Sequence, residues 1–142
     1  MHKIHKHLVV TYTARQMYTL ISQVQRYPAF LKWCQQASIQ TISDQEVHAT
    51  LWIAYHGISH PFTTRNRLQP NQSITMTLVE GPFRHLEGAW RFNRTKAGCR
   101  ITFDLAYEFS SPLWHMLFAP IFDRIANSLV IAFIEEARQL YR

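Results

Sequence analysis

The chain has 142 residues, of which 47% are hydrophobic and 17% charged, and its formal net charge is +6. A chain of this length builds one hydrophobic core, and its apolar content offsets the entropy lost on folding. We therefore expect residues 1–142 to form a single domain rather than a disordered or multidomain protein. The positive charge favours anionic partners such as RNA or lipid headgroups without selecting between them.

Two cysteines, Cys34 and Cys99, match no metal or redox spacing, and no cleavable signal precedes them. The sequence therefore indicates a reduced, cytoplasmic protein. Residues 109–134 are the most apolar region, but Asp123 and Arg124 lie in its middle, and the uncharged pieces on either side are too short to cross a bilayer. We therefore predict no transmembrane helix.

The first elements in the chain are a strand and a helix. Residues 3–12 are β-branched and roughly alternating, which predicts a strand. Thr13 is a suitable N-cap for a helix over residues 14–25, whose apolar positions recur at helical spacing. A turn at Pro28 then introduces a short second helix that carries Trp33 inward.

A run of strands follows these elements. From Cys34 onward the period of the pattern changes to two for about 75 residues. Turn residues recur at SDQ, HG, QPNQ, EGP and TKAG, which cut this run into six strands. Ser111 and Pro112 then begin a long amphipathic helix, in which Pro120 marks a kink or a restart.

Only this last helix is long and apolar enough to cover one face of the sheet. The predicted fold class is therefore α+β, with a seven-stranded, curved antiparallel sheet wrapped around a long C-terminal helix. The six strands and the first strand of the chain together supply the seven.

Side chains that alternate toward the helix mix bulky rings with small and polar residues. Gly88 interrupts the aromatic series of its strand, and a glycine in a strand often marks a bend or a close approach. A sheet bent in this way can leave an apolar cavity beneath the helix, with Thr64, Asn66 and His60 among its polar groups. The alternative is a core that the helix fills completely, with those polar groups satisfied locally.

The opposite faces of the strands carry arginines. Those that alternate away from the core are Arg65, Arg67, Arg91 and Arg100. Guanidinium groups match phosphate geometry, so these four residues are a candidate surface for an RNA backbone. Acidic residues such as Asp104 share that surface, and an ordinary solvated face of mixed charge is the alternative.

No motif in the chain indicates catalysis. The sequence has no nucleophile elbow, no catalytic cysteine motif, no P-loop and no dinucleotide-binding glycine pattern. His2, His5 and His7 lack a nearby carboxylate or cysteine that would complete a metal site. We expect a protein that is not an enzyme, needs no metal or cofactor, and does not bind DNA.

Four segments resemble one family. They are YTARQMYTLISQVQRYPAFLKWC, HPFTTRNRL, NQSITMTLVEGPFRHLEGAWRF and CRITFDLAYEF. In this order they are similar to the START-like family that contains the bacterial ribosome-association toxin RatA and the coenzyme Q-binding proteins, within the polyketide cyclase and lipid transport superfamily. The resemblance extends from about Ile4 to Tyr141.

The resemblance implies the helix-grip fold, with an apolar cavity between the sheet and the C-terminal helix. It first implies a non-catalytic protein that binds a ubiquinone-type isoprenoid lipid there and supports respiratory quinone function, with peripheral contact at the inner membrane. The alternative is a ribosome-association toxin that binds the large (50S) ribosomal subunit and blocks subunit association and translation initiation.

Ten residues are the candidates for the lipid site. Those in positions that match the motifs of the family are Phe62, Phe83, Leu86 and Trp90. Alternation and helical spacing alone add Trp33, Tyr55, Phe103, Tyr107, Phe122 and Phe133.

Overall fold

The computed structural model describes residues 1–141, except for the side chains of Tyr55 and Ile58. The strands are β1 His2–Val10, β2 Cys34–Ser43, β3 Glu46–Tyr55, β4 Ile58–Gln69, β5 Ser73–Glu80, β6 Phe83–Arg94 and β7 Cys99–Phe109. The helices are α1 Ala14–Ser22, a 3-10 helix Val24–Ala29, and α2 Pro112–Leu140.

The strands form one antiparallel sheet of seven, in the order β1-β7-β6-β5-β4-β3-β2. Consecutive strands from β2 to β7 are neighbours, and β1 pairs with β7. This order confirms the predicted seven-stranded antiparallel sheet. Because β1 and β2 lie at opposite edges, α1 and the 3-10 helix carry the chain across the sheet between them.

The antiparallel order places successive turns at opposite ends of the sheet. The turns β2–β3, β4–β5 and β6–β7 lie at one end, where β1 also stops and α1 begins. A Cβ built on Gly98 would lie 2.1 Å from the Val10 carbonyl oxygen and 2.6 Å from the Tyr12 carbonyl oxygen. The β6–β7 turn therefore packs directly on the segment that leads into α1, and only glycine allows this approach.

The predicted helix over residues 14–25 is divided in two. Thr13 is the N-cap, as predicted: its hydroxyl accepts from the Gln16 backbone N–H at 3.0 Å, and the Gln16 side chain accepts from the Thr13 N–H at 2.9 Å. The α-helix then ends and the 3-10 helix follows. The buried Tyr27 hydroxyl donates to the Ile21 carbonyl oxygen, which satisfies an acceptor at the end of α1 and holds the chain against it.

The long helix α2 covers the sheet as the sequence predicts. The Trp114 backbone N–H donates to the Ser111 hydroxyl at 3.2 Å, which caps the helix, and Pro112 lies in its first turn. The helix continues through the exposed Pro120 without restarting. Leu117 is 38% exposed. The buried positions are Phe118, Ala119, Phe122, Ile125, Ala126, Val130, Phe133 and Ala137.

By length and composition alone, α2 could cross a membrane. Its most apolar 18-residue stretch has a mean hydropathy of 1.6, and 39% of that stretch is buried. The core helix of a globular protein meets the same test. Here one face of α2 packs against the sheet, and this packing accounts for its buried apolar residues, whereas Leu113, Met116 and Ile131 are exposed.

The core lies between the concave face of the sheet and the three helical segments. Its strand faces are those that alternation predicts, and β7 buries every second residue from Cys99 to Phe109. Cys34 and Cys99 are both buried free thiols, and burial raises the pKa of each.

Candidate functional site

An apolar cavity of about 90 Å³ lies between the concave face of the sheet and α2. No charged side chain is among its described lining residues. The sheet contributes Ala49, Leu51, Ile53, Phe62, Thr64, Asn66, Met76, Leu86, Trp90, Phe103 and Leu105, α2 contributes Phe122, Ile125, Ala126, Leu129 and Phe133, and the chain before β2 contributes Val24, Tyr27 and Trp33.

The structure brings seven of the ten predicted ligand residues to this cavity. They are Trp33, Phe62, Leu86, Trp90, Phe103, Phe122 and Phe133. Their rings position one another: Trp90 stacks on Phe103 with centroids 4.3 Å apart, and Phe133 meets Trp90 edge-on at 5.4 Å. The prediction for Tyr55 falls on a side chain outside the described residues.

Phe83 and Tyr107, the other two predicted residues, are buried beside the cavity and do not line it. Phe83 stacks on Phe109 with centroids 5.0 Å apart, and it contacts Phe122 at the same distance. The Tyr107 hydroxyl donates to the Asp123 carboxylate on α2. Burial and then this hydrogen bond raise the pKa of Tyr107. Its polar group therefore joins the helix to the sheet instead of facing a ligand.

The start of α2 forms an apolar surface at the end of the sheet opposite to α1. His60, predicted as a polar group of the cavity, lies here with its ring 4.6 Å from that of Trp114. Leu113 is 58% exposed and Met116 is 66% exposed. His60 is thus part of this outer end and does not line the apolar cavity.

Gly88 does not leave the empty space that the sequence suggests. A Cβ built on it would lie 3.0 Å from Leu105 Cδ1 and 3.1 Å from Met76 Cε. Those two side chains already occupy the space beside the glycine, so Gly88 allows close packing within the wall. Small side chains, at Ala49 and Ala126, face the cavity itself.

Two polar side chains on β4 face the apolar space. Thr64 is 5% and Asn66 is 6% exposed, and the Thr64 hydroxyl donates to Asn66 Oδ1 at 2.7 Å. They are two residues apart on one strand, so both point to the same face of the sheet. Neither side chain is an acid or a base near neutral pH, so their chemistry is hydrogen bonding.

The volume of the cavity limits what it holds in this conformation. About 90 Å³ is less than the roughly 150 Å³ of an engineered cavity that takes up benzene. It is also well below the range of about 300–1,000 Å³ that is common for ligand pockets. The core is therefore mostly filled, and a quinone with an isoprenoid chain enters only if side chains or α2 move.

The four arginines of the predicted RNA surface are exposed on the outer face of the sheet: Arg65, Arg67, Arg91 and Arg100. Two of them are neutralised by carboxylates. Arg65 Nη2 lies 3.0 Å from Glu46 Oε1, and Arg91 Nη1 lies 3.5 Å from Asp104 Oδ2. This face therefore has the mixed charge that the sequence analysis gives as the alternative, and its net positive charge is smaller than four arginines suggest.

Another group of cations gathers where α1 begins. Arg15, Arg94 and Lys96 line a depression of about 480 Å³ between the start of α1 and the β6–β7 turn, and we call these three residues the basic end. Within the described part of the chain, none of the three forms an ion pair. The turn composition indicates Arg94 and Lys96, but Arg15 joins them only through the β1–β7 pairing, which the sequence does not reveal.

The basic end continues onto the outer face of the sheet. Arg67 and Arg91 flank a second depression, of about 530 Å³. The β4–β5 turn lies between the two depressions, with Asn71 lining the first and Ser73 lining the second. The Phe92 backbone N–H donates to the carbonyl oxygen of Gln72 in this turn at 2.9 Å, which holds the turn beside β6. The cations therefore surround one fixed turn.

The curved antiparallel sheet, the long covering helix and the apolar space between them define a START-like, helix-grip protein. The family described as polyketide cyclase / dehydrase and lipid transport matches residues 10–134, and the chain belongs to that family. This agrees with the resemblance found in the sequence.

Relatives of two kinds are found. The ribosome association toxin RatA of Escherichia coli is 40% identical over 99% of this chain and 90% of its own. RatA of Pseudomonas aeruginosa is 39% identical over 97% of this chain and 96% of its own. The mitochondrial coenzyme Q-binding protein COQ10 homolog B of Xenopus laevis is 26% identical over 94% of this chain and 57% of its own.

Solved structures share the fold at low identity. A START superfamily protein from Mycobacterium smegmatis has a TM-score of 0.79 at 18% identity and covers 99% of both chains. The Zhui aromatase/cyclase from Streptomyces has a TM-score of 0.80 at 16% identity, over 99% of this chain and 96% of its own. These likenesses show the fold alone. One of the two structures is named as an enzyme and the other is not, so the fold does not determine the function.

Proposed function

We propose that this protein associates with the ribosome in the cytoplasm, binding the large subunit through the basic end and so blocking subunit association and translation initiation. The observation that carries the proposal is the 39% and 40% identity, over nearly the whole chain, to proteins named ribosome association toxin. Lipid binding, the first expectation from the sequence, becomes the second candidate because the coenzyme Q-binding relative is 26% identical and the cavity is small.

The geometry of the basic end supports a nucleic acid partner. Arg15, Arg94 and Lys96 are exposed and unpaired among the described residues, and a net charge of +6 favours approach to a polyanion. Guanidinium groups donate paired hydrogen bonds to phosphate oxygens. The depression they line is concave, so several cations can face the same stretch of RNA backbone.

Co-sedimentation with purified large ribosomal subunits tests the proposal. The test variant replaces Arg15, Arg94 and Lys96 with glutamine, which removes three charges and retains most of the side-chain bulk. The matched control replaces Lys32, Arg84 and Arg124, which are also exposed and lie away from the basic end.

We expect the basic-end variant to bind at least about tenfold more weakly at moderate salt, because three phosphate contacts are lost. The control should stay within about twofold of the unmodified protein. Equal losses in the two variants would mean that total charge, and not the basic end, determines binding. Absence of binding by the unmodified protein would reject ribosome association itself.

The second candidate function is the binding of an apolar ligand in the cavity, with an isoprenoid quinone as the expected ligand. An apolar wall with two buried hydrogen-bonding side chains, Thr64 and Asn66, favours it. Organic extraction of protein purified from a quinone-producing host, followed by mass spectrometry, should recover quinone in amounts comparable to the protein. Repeated extracts without lipid would reject this function.

We also propose that the protein is not an enzyme. The polar side chains that face the cavity are an amide and a hydroxyl, which supply no acid or base. Tyr27, whose ring also lines the cavity, donates its hydroxyl to the Ile21 carbonyl oxygen, and burial raises its pKa, so it remains protonated at neutral pH.

A further inference from the structure

We propose that Asn66 and Thr64 form a polar anchor that selects neutral apolar ligands carrying an acceptor oxygen, such as a carbonyl or ether. The inference rests on the second candidate function, the binding of an apolar ligand in the cavity. Its starting observation is an amide side chain that is 6% exposed and lies in an otherwise apolar wall.

The hydrogen bond between the two residues sets the orientation of the amide. The Thr64 hydroxyl donates to Asn66 Oδ1 at 2.7 Å, so the carbonyl side of the amide is engaged. The Asn66 Nδ2 group has no protein partner among the residues that the structure describes. Nδ2 is not among the fully enclosed unpaired atoms, so it is accessible from the cavity that Asn66 lines, and an acceptor brought there gains a hydrogen bond.

The surroundings leave space beside this amide. Thr64 pairs across the sheet with Ala49, whose side chain is the smallest that a chiral residue can present. Asn66 pairs on its other side with Met76, which is unbranched and flexible. Both neighbours line the cavity. An entering oxygen can therefore reach Nδ2 if Met76 changes rotamer, while the rest of an aromatic ligand requires further side chains or α2 to move, because the cavity is only about 90 Å³.

The charge of the wall restricts the ligand class further. None of the described lining residues is charged, so a carboxylate in this cavity would be buried without a cation. A neutral carbonyl needs one donor, which Asn66 supplies. The anchor therefore favours a neutral ketone, quinone or ether over a fatty acid of the same size.

Two probes of similar size distinguish the contribution of the anchor to ligand binding from that of the apolar cavity. Acetophenone carries one carbonyl oxygen and ethylbenzene carries none. Binding of each is measured by the change in tryptophan fluorescence, to which Trp33 and Trp90 in the cavity wall contribute, in the unmodified protein and in the variants Asn66→Leu and Thr64→Val. The side-chain amide resonance of Asn66 in ¹⁵N spectra gives a second readout.

We expect the ratio of the acetophenone Kd to the ethylbenzene Kd to rise about fivefold in Asn66→Leu, which is the size of one net hydrogen bond. Thr64→Val should raise it by a smaller factor, because the amide remains but is free to turn. The ratio cancels changes in cavity shape that affect both probes equally, and far-UV circular dichroism shows whether each variant is folded. In the unmodified protein, acetophenone and not ethylbenzene should shift the Asn66 amide protons.

The outcomes distinguish failure of the polar anchor from failure of ligand binding in the cavity. If both probes bind and their ratio is the same in all three proteins, the anchor is rejected while the cavity function stands. If neither probe binds the unmodified protein, both are rejected. If a variant fails to fold, the Asn66 resonance of the unmodified protein is the deciding measurement. An Asn66 amide that does not respond to acetophenone overturns the inference.

Discussion

The cavity consists of buried residues and the basic end of exposed ones, although strand β4 presents side chains to both faces of the sheet. Asn66 points into the cavity, where it is 6% exposed, while the neighbouring Arg67 is exposed beside the basic end. The cavity wall consists of rings that pack on one another across the core. The basic end consists of exposed cations at the start of α1 and at the β6–β7 turn. We therefore expect stability to depend on the first region and ribosome binding on the second.

Removing a ring from the cavity wall should have the largest effect on stability. Phe133 is 1% exposed, and its ring lies 5.2 Å from that of Tyr27 and 5.4 Å from that of Trp90. Phe133→Ala should lower the free energy of unfolding by about 3–5 kcal/mol. Urea denaturation measures this change, with the exposed Met116→Ala as the control. A loss below about 1 kcal/mol in Phe133→Ala would mean that the wall does not hold α2 in place.

Substitution of Gly98 should affect both the stability of the protein and its ribosome binding. A Cβ at Gly98 meets the Val10 and Tyr12 carbonyl oxygens, which are backbone atoms and cannot rotate away. Gly98→Ala should therefore destabilise the protein by about 2–3 kcal/mol and weaken ribosome binding, because the turn that carries Lys96 must move. Gly57→Ala is a contrasting variant: Gly57 has a φ of 78° but an open surrounding, so only its backbone strain changes. Unchanged ribosome binding by a folded Gly98→Ala protein would contradict the role of this turn.

Alkaline pH should weaken the core through the buried thiol of Cys34. Burial raises the pKa of Cys34 to about 11 from its ordinary value of 9.0. The folded state then holds this proton more tightly, so the contribution to stability is complete below about pH 9 and is lost as the pH rises toward 11. The loss for this group is up to about 1.4 kcal/mol per pH unit. Urea denaturation at several pH values should show a shallower decline above pH 9 in Cys34→Ala; identical slopes would contradict this assignment.

Local pattern was sufficient for most of the fold. Alternation and turn residues predict all of the strands β2 to β7, and Thr13 and Ser111 are caps as expected. The end of α1 was not predictable, since it depends on a hydrogen bond from Tyr27 that local spacing does not show. The restart that Pro120 suggests is absent, because its exposed position lets α2 continue, and the kink stays a prediction.

The candidate site was less accessible to sequence reasoning, because it depends on packing between distant residues. Alternation shows that Tyr107 faces inward, but its partner Asp123 lies on α2 and turns its hydroxyl away from the cavity. The space expected at Gly88 is occupied by Met76, which comes from a neighbouring strand. Arg15 reaches the basic end only through the register of β1 on β7.

The salt dependence of binding to large ribosomal subunits tests the central claim most directly. The logarithm of the binding constant is measured against the logarithm of salt concentration for the unmodified protein and for the variant with glutamine at Arg15, Arg94 and Lys96. Each lost phosphate contact should reduce the magnitude of the slope by about 0.7–0.9, so we expect a reduction of about 2–3 in that variant and none in the Lys32, Arg84 and Arg124 control. A slope that is the same in all three proteins would contradict binding through the basic end.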